Sequence, residues 1–240
     1  MKLLSYDTPA GPRAGVLQND RVLDVQGLLG ESSPLRDVQA LLELPGDPLA
    51  ALRSALTSAL PRDGQPLAEV ALRAPVIQPP TVRDFFCFEE HASRWGSRGL
   101  SDAWYRLPIF YFSNPLCIYG PDVEVPFPSA TDQLDYELEL AVVVGKEGRN
   151  ISREDAWDHI AGFAILNDWS CRDLQRDEMQ ATLGPAKGKD AATSLGPWLV
   201  TTDEIAPLLK DGRLAAKCTL TVNGEQWMDG EGGTMYHDWA

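Results

Sequence analysis

The sequence predicts an α+β chain that is mostly β: a small β-rich N-terminal domain over residues 1–75, then a larger domain over residues 76–240. Three observations carry this. Short apolar pieces at residues 3–6, 15–17 and 21–25 alternate with Gly, Pro and Asn-Asp turns, the pattern of a β meander. After a proline-rich junction, apolar strands outnumber two helical stretches. A length of 240 residues corresponds to between one and two domains, at roughly 150 residues per domain.

Each element has a local reason. Ala and Leu content predicts a helix over residues 50–60, closed by Pro61, and residues 67–72 read as one more strand. Pro75, Pro79 and Pro80 stiffen the chain and mark the junction. Residues 82–88 form an apolar piece interrupted by Asp84, and a helix over residues 88–95 would carry His91. The aromatic run at residues 109–112 suits a sheet interior or a contact between subunits. Residues 135–144 alternate as a strand. Ser152 and Asp155 resemble a capping box, with Asp where Glu or Gln is usual, and open a short helix that feeds a buried strand at residues 162–166. A polar loop from Lys187 leads to a strand at residues 198–200. Residues 219–227 read as a strand and hairpin. Residues 234–240 read as the opening of a helix with no stop signal, so the chain looks unfinished, with an incomplete pocket and an exposed sheet edge.

Composition excludes several functions. Acidic residues number 35 against 21 basic ones, a net charge of -14 that repels phosphate backbones and disfavours nucleic-acid partners. The longest apolar run, residues 140–144, is far short of the ~20 needed to cross a bilayer, and the first residues reach Asp7 and Pro9 before any apolar run long enough for a signal sequence, so secretion is not expected. Cys87, Cys117, Cys171 and Cys218 are widely spaced, with no C-x-x-C pair, and read as thiols of a reducing cytoplasm. The glycine-rich stretches at residues 184–188 and 230–233 match no nucleotide-binding fingerprint.

The chemistry is in the acids. On a strand at residues 135–144, Glu137 and Glu139 point the same way with Cα atoms about 6.5–7 Å apart, able to converge on one cation. An exposed E-x-E strand face is the common alternative, but this face turns apolar at Ala141 and Val143. Asp168 ends a buried strand and Asp84 interrupts another; a buried carboxylate needs a cation, a donor or a proton. Arg83 or Arg172 could pair with one of them as an ordinary ion pair. Oxygen-only ligands suit a hard cation such as Mg²⁺ or Ca²⁺ and not zinc. His91, seven residues after Asp84, could act as a general base over such a cation, whereas His159 is more simply a helix cap. Lys187 and Lys189, beside Gly188, could bind a substrate carboxylate or sit in a solvated turn.

At these residues the sequence resembles the fumarylacetoacetate hydrolase family, from about Pro75 to the last residue. The matching motifs are an aspartate seven residues before a histidine (Asp84, His91), a D-Y-E-x-E-L strand (Asp135, Tyr136, Glu137, Glu139, Leu140), and an N-D-x-S-x-R-D-x-Q stretch (Asn167, Asp168, Ser170, Arg172, Asp173, Gln175). A G-K loop before S-x-G-P-W (Gly188, Lys189, Ser194, Trp198) completes the set. The resemblance implies a mixed β-sandwich roll as the catalytic domain. It also implies a divalent metal, Mg²⁺, Mn²⁺ or Ca²⁺, held by Asp84, Glu137, Glu139 and Asp168, with His91 as base and Lys189 and Thr193 on the metal and substrate side. Gln175 would lie near the substrate, and the family usually forms homodimers. Phe86 stands where fumarylacetoacetate-cleaving members have a tyrosine, and Arg94 where another branch has a carboxylate paired with the histidine. The expected function is a metal-dependent hydrolase cleaving a C–C bond in a β-diketo or acylpyruvate-type acid. The alternatives are decarboxylation, isomerisation or hydration of a 2-oxo acid at the same site, or ligand binding without turnover.

Overall fold

The computed structural model describes residues 1–60, 63–94 and 99–240; Pro61, expected to close a helix, and Trp95, expected to end another, lie outside them. The N-terminal meander forms as the turns predict. β1 (Lys2–Thr8), β2 (Gly11–Gln18) and β3 (Arg21–Asp24) pair antiparallel in sequence order. Three helices follow, α1 (Val25–Leu29), α2 (Val38–Leu42) and α3 (Pro48–Leu56). Each starts at an aspartate, Asp24, Asp37 or Asp47, whose carboxylate accepts from a first-turn amide; Pro48 opens α3 with its fixed φ. β4 (Gln65–Pro66) joins β3. The strand expected over residues 67–72 is instead a 3₁₀ turn at Leu67–Glu69, and only the short β5 (Leu72–Arg73) pairs with β1.

The later segment supplies β6 (Val82–Phe85), α4 (Glu89–Arg94), α5 (Asp102–Arg106), β7 (Phe110–Ser113) and β8 (Ile118–Tyr119). Then come β9 (Leu134–Asp135), β10 (Leu138–Val144), β11 (Ile160–Asp168), β12 (Ser170–Cys171), α6 (Arg172–Gln180) and β13 (Thr193–Thr201). The helix expected after Ser152 is a 3₁₀ turn, Ala156–His159, although Ser152 Oγ does accept from the Asp155 amide at 3.2 Å.

The main sheet runs β10-β11-β13-β1-β2-β3-β4, with β5 beside β1 and β8 parallel to β13. The chain is thus mostly β with a mixed sheet. Strand β13 docks on β1, with Leu3 opposite Leu199. One apolar cluster takes Leu3, Val16, Val38 and Leu52 from the N-terminal segment and Ala161, Ala164, Leu195 and Leu199 from the later one. A buried leucine in such a cluster contributes about 1.5–3 kcal/mol, so the sheet that carries β11 and β13 is braced from both sides. Gly162 lets β11 approach β13, since a Cβ there would sit 2.3 Å from the Val200 carbonyl oxygen.

At the C-terminal end, β16 (Lys217–Val222) and β17 (Glu225–Glu231) form the expected hairpin, after the short strands β14 (Leu209–Lys210) and β15 (Arg213–Leu214). Its turn residues Asn223 and Gly224 have φ of 51° and 87°, as a two-residue hairpin turn requires. The expected C-terminal helix is absent. Residues 235–240 instead run without helical hydrogen bonds, held by the Tyr236 amide donating to the Cys87 carbonyl at 2.9 Å and by Arg213 donating to the carbonyls of Met235 and Tyr236. Tertiary contacts there outweigh local propensity. Among the described residues no helix is long and apolar enough to cross a membrane. All four cysteines are unpaired; Cys87 and Cys171 are buried, Cys117 and Cys218 half-buried.

Candidate metal centre

The four acids singled out in the sequence come together. Asp84, Glu137, Glu139 and Asp168 each place a carboxylate oxygen within 4.8 Å of the others. They arrive from three elements. Asp84 is on β6; antiparallel pairing sets it opposite Tyr111 on β7, so both face the site while Arg83, Phe85, Phe110 and Phe112 face the other way. Asp168 ends β11, directly across from Thr193 on β13. Glu139 lies in β10. Glu137 lies just before it, because the strand expected over residues 135–144 breaks at Tyr136 and Glu137. The Asn167 side-chain oxygen accepts from the Glu137 amide at 2.9 Å and fixes that break.

Two cations organise the acids. Lys189, only 2% exposed, places Nζ 2.5 Å from Glu137 Oε2 and 2.9 Å from Asp168 Oδ2. Arg172 reaches Glu137 Oε1 at 2.6 Å and Asp135 Oδ2 at 2.8 Å, and donates to Gln175 Oε1 at 3.0 Å. The ion pair foreseen for Arg172 therefore forms, with Glu137 and Asp135; Arg83 instead lies over the Phe110 and Phe112 rings. Lys189 is not in a solvated turn. The Glu178 carboxylate of α6 accepts from the amides of Ala186, Lys187 and Gly188, folding the loop back so that residue 189 turns inward. Gly188 is required at that bend, where a Cβ would meet Gln175 backbone at 2.8 Å. Glu178 carried no signal in the sequence, since its role depends on a nonlocal contact.

Tyr111 was also hidden, inside an aromatic run that reads as core. Phe110 and Phe112 are in fact 41% and 64% exposed, and only the residue between them turns inward. The Tyr111 hydroxyl lies 2.6 Å from Asp84 Oδ2 and 2.5 Å from Asp168 Oδ2. A hydroxyl has one hydrogen and donates to only one of the two acids, so a proton on Asp84 would let it bond to both.

Electrostatics agree. Burial raises Asp84 to about 7, opposed by the Tyr111 hydrogen bond and reinforced by the Asp168 charge. Burial beside Asp84, Asp168 and Glu137 pushes Glu139 well above the ordinary carboxylate range. Glu137 goes down instead, because Lys189 and Arg172 outweigh its burial. Burial would lower Lys189, yet Asp168 and Glu137 hold it raised. Asp168 Oδ1 is buried and, among the described residues, has no hydrogen-bond partner. A buried oxygen of this kind beside two acids driven towards protonation fits a hard divalent cation, for which all four donors are suitable. Cation binding then competes with protons. Affinity for Mn²⁺ is expected to fall as pH drops through about 7, where Asp84 takes up its proton, by up to about tenfold per pH unit. Titration calorimetry at pH 6 and pH 8 in buffers of different ionisation heat checks both the loss and the proton release.

His91 is on α4, its ring edge-to-face with Phe86 at 5.3 Å. Phe86 is pinned by its amide, which donates to the Ile109 carbonyl at 2.9 Å, and by its carbonyl, which accepts from Trp104 Nε1 at 2.9 Å. Burial lowers His91, with Arg172, Arg94 and Lys189 in the same direction and Glu137 opposing. It is therefore neutral at pH 7 and able to accept a proton. Gln175 and Thr193 are both buried. His159 is remote from these residues in its role, its Nδ1 3.0 Å from the Lys146 carbonyl oxygen.

Comparison with known proteins bears on this site. Residues 81–240 match the family model described as fumarylacetoacetate (FAA) hydrolase C-terminal. The chain is 36% identical over 174 residues to the oxaloacetate tautomerase YisK of Bacillus subtilis (strain 168), covering 70% of this chain and 54% of that protein. It is 37% identical over 147 residues to the fumarylacetoacetase of Arabidopsis thaliana, covering 52% of this chain and 35% of that protein. The chain thus spans about half, or less, of the length of these curated relatives. Its fold is similar to that of maleylpyruvate hydrolase from Sphingobium sp. SYK-6, solved in complex with manganese(II) ion and pyruvate. The TM-score there is 0.72 at 26% identity, over 100% of this chain and 80% of that one.

Proposed function

The chain belongs to the fumarylacetoacetate hydrolase family, and from that premise we propose that it is a divalent-metal-dependent enzyme that interconverts the keto and enol forms of a 2-oxo acid. The convergence of Asp84, Glu137, Glu139 and Asp168 on one point, with a neutral His91 on the neighbouring segment, carries the reading. When bound, Mg²⁺ or Mn²⁺ supplies concentrated positive charge for the substrate's 2-oxo and carboxylate oxygens. The chain's own residues do the rest. His91 accepts a proton from the carbon next to the 2-oxo group, the C–H electron pair forms the C=C bond, and the proton returns to the substrate oxygen. Lys189 holds Glu137 and Asp168 in place and keeps their charge balanced. Arg172 orients the Gln175 amide so that its NH₂ group is left as the donor for substrate, and Thr193 offers a hydroxyl beside Asp168. Phe86 packs edge-to-face against the His91 ring and fixes its orientation. The similarity to an oxaloacetate tautomerase over 70% of the chain supports this choice.

A second reading is C–C hydrolysis of a β-diketo acid, in which His91 deprotonates water for attack on the distal carbonyl. The similarities to a fumarylacetoacetase and to a pyruvate-bound maleylpyruvate hydrolase favour it. Both readings use one site, and what meets the enol separates them. Proton NMR with Mg²⁺ or Mn²⁺ on a panel of oxaloacetate and acylpyruvates discriminates. Faster keto–enol exchange without new acids, stopped by chelator, is the expected result. Two new acids per substrate would establish hydrolysis, and neither outcome across the panel would remove the enzymatic reading.

A further inference from the structure

We propose that Tyr111 is a positioning residue for the cation site, its hydroxyl tying Asp84 to Asp168 so that one oxygen of Asp168 is committed to the protein and the other to the cation. The inference rests on the metal-binding reading above and assigns a part of it that the acids alone do not supply. Asp84 and Asp168 come from separate sheets, β6 with β7 and β11 in the main sheet. The Tyr111 hydroxyl touches both, at Oδ2 in each case, 2.6 and 2.5 Å away. Asp168 Oδ2 also accepts from Lys189 Nζ at 2.9 Å, whereas Asp168 Oδ1 has no hydrogen-bond partner among the described residues. The division is unequal. Both polar contacts fall on Oδ2, and Oδ1 is the Asp168 oxygen left open to a cation.

Without the hydroxyl, Asp84 and Asp168, on separate sheets, would lose a side chain that touches both. They would then have to be gathered at the moment the cation binds. A partner of this kind behind the ligands typically accounts for 10–100-fold in metal affinity. The register explains why only Tyr serves: residue 111 is opposite Asp84, and a phenolic oxygen at that distance reaches Asp168 while a shorter hydroxyl side chain would not.

The test is titration calorimetry of the full chain with Mn²⁺. Tyr111→Phe is expected to raise Kd by about 10–100-fold, with the far-ultraviolet circular dichroism and cooperative melt of the metal-free chain retained. Tyr105→Phe, which removes a hydroxyl bonded to exposed Glu89, is the control and leaves Kd unchanged. Tyr111→4-aminophenylalanine keeps the ring and restores an N–H donor; it recovers the affinity to within a few-fold of wild type, and it serves in place of the Phe variant should that fail to fold. Tight binding by wild type with equal affinity in Tyr111→Phe would overturn the role of Tyr111 and leave the metal site standing. Loss of affinity in Tyr111→4-aminophenylalanine as large as in Tyr111→Phe would overturn it as well. Failure of wild type itself to bind Mn²⁺ would overturn both.

Discussion

Lys189→Met is expected to lower the melting midpoint of the metal-free chain by roughly 6–20 °C at pH 7, and a saturating divalent cation is expected to recover much of the loss. Methionine keeps the stem and removes the charge. Lys189 and Asp168 are each 2% exposed and Glu137 is 17% exposed, so solvent screens these pairs little. Removing one partner of such a buried pair costs about 3–5 kcal/mol, and each kcal/mol shifts the midpoint of a chain this size by about 2–4 °C.

The dependence on pH follows from the directions of the shifts. Glu137 is lowered, so its contribution is present above its ordinary value near 4.5 and is lost as pH falls through the lowered one. Lys189 is raised, so its contribution is complete at pH 7 and is lost only in strong alkali. The gap between wild type and Lys189→Met should therefore close in acid and persist from pH 5 to pH 9. Cation recovery has its own scale, about 2.7 kcal/mol at one hundred times Kd. Melts of both chains with chelator and with Mn²⁺ measure all of this. Equal midpoints in chelator would show that Lys189 is not the counter-charge of the two acids.

What the sequence revealed and what it concealed have one physical explanation. Glu137 and Glu139 are two residues apart on a strand path, and Asp168 follows an apolar run, so local pattern placed them at a buried rim. The contribution of Tyr111 depends on β6–β7 register, which sets it opposite Asp84. No local pattern marks that pairing, and Phe110 and Phe112 on either side mask it. Glu178 is similar: its three loop amides are eight to ten residues away. The C-terminal residues went the other way. Their local propensity suggests a helix, but Trp104, Tyr105, Tyr236 and His237 stack into one aromatic cluster, with centroids 5.0–5.6 Å apart where they touch, and hold the chain in a non-helical path. Strands β1 to β3 were legible throughout because their turns are encoded by adjacent residues. The docking of β1 on β13, which unites residues 1–75 with the site-bearing sheet, was not, since almost two hundred residues separate the partners.

His91→Asn is expected to reduce kcat by about 10²–10⁴-fold, the usual contribution of a positioned general base, with Mn²⁺ affinity unchanged. Asparagine retains polarity and approximate size and cannot take up the proton. The pH profile provides the sharper test. Burial chiefly lowers His91, so the imidazole is protonated only at a pH below its ordinary value, which lies near 6.5. Activity that needs the neutral ring should then be level from pH 7 to pH 8 and should fall only below about 6.5. Loss of cation through Asp84 protonation would add an acid limb nearer 7, but saturating Mn²⁺ moves that limb to lower pH, whereas a limb belonging to His91 stays in place. The residual activity of His91→Asn should lack the cation-independent limb altogether. Turnover within threefold of wild type, or a variant that retains the same limb, would show that another group moves the proton.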